Sequence, residues 1–136
     1  MARRTDQRRD AVFALYQSDL TGRALDDVLG SNAAPFTRAL AHATEDYSEE
    51  LDVLIERHAE GWTLARIAPL ERAILRAALL EMLHPDVVPA DEPIPAEGAI
   101  DEAVEFAKTY SSARAPAFLN GILAAVLREM RETARS

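Results

Sequence analysis

Apolar residues recur along this chain at intervals of three and four rather than two, and alternating β-branched runs are missing, so the pattern predicts helices almost throughout. Residues 11–20 place Val12, Leu15 and Tyr16 on one side of a first helix, which Thr21 and Gly22 interrupt. Leu25, Val28 and Leu29 fit a short helix closed by Gly30, and residues 31–35 read as a loop. From 36 to 59 the spacing is helical again, with a break expected near Thr44. Leu51, Leu54, Ile55 and His58 share one stripe of that segment, and Gly61 ends it.

Residues 62–67 suit a helical turn or two. Pro69 fits the first turn of the next helix, where its missing amide hydrogen costs nothing. That helix is expected to run to about Leu83 with a small apolar face of Leu70, Ala73, Ile74, Ala77 and Leu80, suited to close helix packing. Four prolines, Pro85, Pro89, Pro93 and Pro95, forbid one helix through 84–95 and predict a hinge or linker. Residues 96–110 resume with Ile100, Ala103, Val104 and Ala107 at helical spacing. A loop at 111–115 and a final helix opened by Pro116, running to about Thr133, complete the chain. The expectation is an all-α, compact bundle of about seven helices in two helical subdomains, about 1–60 and about 61–136, forming a single domain.

Composition narrows the function classes. A chain of 136 residues with 49% hydrophobic and 28% charged content suits one globular domain. No cysteine means no disulfide, thiolate metal site or cysteine nucleophile, and neither a signal peptide nor a membrane-length apolar run is present, so a cytoplasmic protein is expected. The net charge of −8 argues against non-specific nucleic-acid binding and requires any RNA contact to be local.

Catalysis is not expected. His42, His58 and His84 are too dispersed for a ligand pattern, and His58 suits a hydrogen-bonded core position. Asp101, Glu102 and Glu105 could hold a cation or simply favour a helix dipole. No glycine-rich phosphate loop is present. Arg3, Arg4, Arg8 and Arg9 stand apart, because positive charge at a helix start opposes the dipole. They suit phosphate oxygens and unpaired bases, or else a solvated terminus. Asp6 and Asp10 dilute them to four positive against two negative charges.

Three blocks carry a family resemblance: RRDAVFALYQ at 8–17; Trp62 followed by RIAPLERAILRAALLEML at 66–83; and IDEAVEFAKTY at 100–110 with FLNGIL at 118–123. In order and spacing they resemble the NusB family of transcription antitermination factors, over nearly the whole chain apart from a weaker stretch between 20 and 51. The resemblance implies an all-α, non-catalytic protein without a cofactor. Its partners would be boxA-type single-stranded RNA of ribosomal-RNA leader transcripts, the ribosomal protein NusE, and the RNA polymerase elongation complex with other Nus factors. A homodimer is left open. By position, Arg3, Arg4, Arg8 and Arg9 would face RNA, with Phe118 and Asn120 near the same surface, while Tyr16 and Glu71 would face NusE.

Family members commonly place Asp-Ser and a basic residue before the Phe-Val-Asn-Gly block, where this chain has Arg114, Ala115, Pro116 and Ala117. Arg114 thus brings a charge toward the RNA surface while other polar contacts are lost, and the departure implies an altered RNA affinity. Packing roles stand beside the ligand roles: Ile100, Val104 and Phe106 as core, Gly121 for close helix approach, Asn120 for buried backbone, and Glu71 as a helix cap. Two rival functions stay open. One is a helical protein adaptor. The other is a ribosomal-RNA maturation factor related to the RNA-binding domain of rRNA cytosine methyltransferases, although a catalytic domain is not expected in a chain of this length.

Overall fold

Seven α-helices arise from these patterns in the computed structural model, which describes residues 3–89 and 93–135. They are α1 (Arg4–Thr21), α2 (Leu25–Leu29), α3 (Pro35–Asp46), α4 (Ser48–His58), α5 (Pro69–Leu83), α6 (Ala96–Tyr110) and α7 (Ala115–Arg135). No strand occurs among the described residues, and none of their helices is long and apolar enough to cross a membrane.

Two boundaries differ from the sequence expectation for identifiable reasons. The first helix begins at Arg4 rather than near Ala11, so Arg8 and Arg9 lie in its second turn. The α3–α4 break falls at Tyr47, with φ −96° and ψ 9°, and not at Thr44. Thr44 is fully buried, and its hydroxyl donates to the Leu40 carbonyl at 2.7 Å, so it stays inside the helix. α6 spans 96–110 as expected, but the acidic residue of its first turn is Glu97, so Asp101, sixth in the helix, is too far along to favour its dipole. Gly22 ends α1 where the periodicity stops, because the left-handed φ of +76° there suits a residue without a side chain.

The proline-rich connection is partly anchored. It forms a 3-10 turn at Pro85–Val87 and buries Val88. Its middle, residues 90–92, lies outside the described residues.

α5 is the centre of the fold and packs against α1, α3, α4, α6 and α7. Small residues make this possible, since Ala73, Ala77 and Ala78 are buried and leave room for neighbouring helix axes. Leu75, Leu79 and Leu80 fill the space between, each contributing on the order of 2 kcal/mol by leaving water. Leu40, Leu51, Ile55, Leu119 and Leu123 join the same cluster from both sides of residue 60.

Polar pairs set the helix register around this core. Asp19 on α1 accepts from Arg72 at 2.9 Å, while Arg8 on α1 meets Glu81 at 2.7 Å, so α1 and α5 run antiparallel. Arg76 on α5 forks onto Asp52 of α4 at 2.7 and 3.0 Å. Arg72 also donates to the carbonyls of Leu64 and Ile67, which holds the connection between α4 and α5.

Candidate nucleic-acid interface

The start of α1 gathers the four arginines but gives them different partners. Arg3 precedes the helix and is exposed. Arg4 is exposed, donates to Gln7 Oε1 at 2.6 Å and lies 4.1 Å from the centroid of the Phe36 ring. Arg9 stands between Asp6 and Asp10, at 3.2 and 3.3 Å.

Arg8 is turned inward. Its Nε and Nη2 donate to Oε1 and Oε2 of Glu81 at 2.7 and 2.9 Å, and Nη1 is 3.7 Å from Glu102. Burial works against the guanidinium charge, but the hydrogen bond and charge of Glu81 and the charge of Glu102 outweigh it and hold Arg8 above its ordinary value. Thr5 extends the network by donating to Glu102 at 2.8 Å. Glu81 was not anticipated as a partner, yet its position one turn beyond Ala77 on the packed stripe of α5 is a readable sign that a buried cation must face it.

Beside this network a cleft of about 240 Å³ runs between α1, α5 and α6, with Val12, Ile74 and Phe106 on its walls and Arg9 and Tyr110 among its lining. Phe13, Phe106 and Tyr110 meet with ring centroids 4.9 to 5.3 Å apart. Tyr110 is 45% exposed, so an aromatic edge stands in solvent near Arg9. Lys108, on the same helix, is exposed and paired with Glu105 at 3.0 Å.

The start of α7 forms a separate cluster. Phe118 is half-buried and meets Trp62 rather than the arginines, with centroids 6.2 Å apart at 66°. Arg114 and Asn120 are exposed, and Arg114 makes no ion pair among the described residues. Exposure removes the alternative of Asn120 as a buried backbone partner. Gly121 does not serve close helix approach either, since a Cβ there would meet nothing within 4 Å. Among the described residues no group of acidic or histidine side chains could hold a metal ion.

Tyr16 and Glu71 lie toward the opposite end of the α1–α5 pair. Tyr16 is half-buried one turn before Asp19, and Glu71 is half-buried beside Arg72. Burial pushes the Glu71 carboxyl above its ordinary value, offset in part by a hydrogen bond from the Ala68 backbone. Glu71 is also the acidic residue of the first turn of α5, where its charge favours the helix dipole, so a structural role stands beside any partner contact.

His58 is hydrogen-bonded as expected but half-buried at the rim of a groove rather than in the core, pairing with Glu129 of α7, which also binds Arg57. The Glu129 carboxyl is held below its ordinary value first by the His58 hydrogen bond; desolvation, next in size, opposes it, and the charges of Arg57 and His58 lower it further. A folded value below the unfolded one contributes stability above pH 4.5 that is lost as pH falls through the folded value. Thermal midpoints measured down an acid series should therefore fall less steeply below pH 4.5 in Glu129→Gln than in the parent. Parallel curves would exclude the pair as a source of acid sensitivity.

The comparisons with known proteins agree with this architecture. The NusB family model matches residues 5–128. A transcription antitermination protein NusB from Rubrobacter xylanophilus is 38% identical over 129 residues, covering 90% of this chain and 88% of the relative. Among solved structures, T. maritima NusB superposes with a TM-score of 0.81 at 29% identity, covering 94% of this chain and 92% of that one. A NusB solved as a complex of antitermination factors NusB and NusE with dsRNA gives a TM-score of 0.75 at 25% identity, covering 93% and 96%. With seven helices in place, a match over most of its length and a relative above one-third identity, this chain belongs to the NusB family of transcription antitermination proteins.

Proposed function

We propose that this chain binds boxA-type single-stranded RNA of ribosomal-RNA leader transcripts together with ribosomal protein NusE, and that the pair acts with other Nus factors on the RNA polymerase elongation complex in the cytoplasm. The two helical halves act as one RNA-binding domain, without catalysis. The observation that carries the reading is the set of arginines at the start of α1, in a chain whose net charge of −8 otherwise repels a polyanion. The likeness to a NusB solved with NusE and dsRNA supports both partners.

The residues divide by task. Arg3, Arg4 and Arg9 contact phosphate, Arg114 adds charge from α7, and Phe118 and Asn120 contact bases. Arg8 belongs to the same surface but, tied to Glu81, orients α1 rather than reaching outward. Tyr16 and Glu71 meet NusE, where a basic group would relieve the cost of the half-buried carboxylate.

Fluorescence anisotropy of labelled boxA-type RNA, titrated with this protein in the presence and absence of NusE, tests the proposal. Binding is expected to tighten with NusE, and Glu71→Gln should remove that gain while leaving the titration without NusE unchanged. Absence of RNA binding in both titrations, with NusE still captured, would leave a protein adaptor instead.

A further inference from the structure

We infer that the RNA surface continues past Phe118 onto Trp62, which serves as a stacking platform for an unpaired base; the inference rests on the RNA-binding reading above. Trp62 is 48% exposed, although an indole is among the side chains that gain most from burial. It is nevertheless held in place. Its backbone N–H donates to the Ala59 carbonyl at 2.7 Å, the Arg66 guanidinium lies 5.4 Å from its ring, and Phe118 meets it at an angle. A positioned aromatic with its area left in water is ready to receive another ring at little ordering cost.

The surroundings favour a nucleic acid. Trp62 and Phe118 line a shallow groove of about 650 Å³ between the end of α4 and α7, and the small residues Ala117, Gly121 and Ala125 leave it open. Arg128 also lines it, and neither Arg128 nor Arg114, one turn before Phe118, makes an ion pair among the described residues. Glu129 is already engaged by Arg57 and His58. Aromatic rings interleaved with arginines are the means by which single strands are held without reading a duplex. Because Glu60 and Glu132 line the groove as well, affinity there comes from stacking more than from charge, and the indole is the decisive group.

Trp62 is the chain's one tryptophan, so its emission reports on this position alone. The full chain is titrated with boxA-type RNA, with and without NusE, while tryptophan fluorescence and the anisotropy of an RNA label are followed together. The emission should be quenched with the same midpoint as the anisotropy. Trp62→Leu should weaken binding on the order of tenfold with an unchanged salt slope, and Trp62→Phe should retain most of the affinity. An anisotropy rise with constant emission and parental affinity in Trp62→Leu would overturn the platform while leaving RNA binding intact. Emission that responds to NusE but not to RNA would assign the groove to a protein and also overturn it. If the anisotropy never rises, RNA binding itself fails and the platform falls with it.

Discussion

Replacing Glu81 with alanine should destabilise the protein by about 3 kcal/mol, because it takes the forked hydrogen bonds from the Arg8 guanidinium and leaves Glu102, 3.7 Å away, as its remaining counter-charge. The two side chains are only 15% and 8% exposed, so the cleft they line supplies water to one side of the guanidinium and not to the position the carboxylate vacates. Arg8 has no escape by losing its proton, since a guanidinium stays charged in proteins whatever its neighbours. In thermal melts the loss corresponds to a fall in midpoint of roughly 10–20 °C for a domain of this size. The double variant Arg8→Met with Glu81→Leu should recover most of the difference, because removing both charges removes the desolvation cost as well as the attraction. A single variant that melts with the parent would show that the pair is solvated in solution.

Raising salt from 50 to 200 mM should weaken RNA binding by about fifty-fold, if Arg3, Arg4, Arg9 and Arg114 neutralise about four phosphates and each single-strand contact contributes about −0.7 to the slope. The slope of log affinity against log salt is then on the order of −3. Arg4→Ala and Arg114→Ala should each make it shallower by about 0.7, with the thermal midpoint unchanged in Arg114→Ala and lowered slightly in Arg4→Ala by loss of the Phe36 contact. Arg8→Ala should separate from them by lowering the midpoint more, since its first obligation is to Glu81. A slope near zero would remove the arginines from the RNA surface altogether.

Helix positions were legible because they depend on local periodicity and punctuation. Pro69 opens α5 as its missing amide hydrogen predicts, and Gly22 and Gly30 close α1 and α2 where the apolar pattern stops. The division of labour among the arginines was not legible as a cluster. Arg8 stands three and four residues before the buried Ala11 and Val12, on the inward stripe, whereas Arg9 turns toward Asp6 and Asp10. Reading Arg8 and Glu81 as a pair requires knowing that α1 and α5 are antiparallel neighbours, which no local pattern supplies. Gly121 misleads in the opposite direction: glycine inside a helix suggests a crossing partner, but here it opens a groove. Trp62 is visible in the sequence as an aromatic after Gly61, yet its exposure depends on how α7 passes beneath it.

The order in which the helices leave the ribosome gives the central position of α5 a further meaning. α7 is synthesised after the other six, and it carries Leu119, Ile122, Leu123, Val126 and Leu127 into the core they share. Until it emerges, a nascent chain presents the apolar flanks of α4, α5 and α6 to water, the kind of surface on which chaperones act. Closure of the core thus waits for α7, and the groove bearing Trp62 and Phe118, built partly from α7, forms only once that helix has emerged.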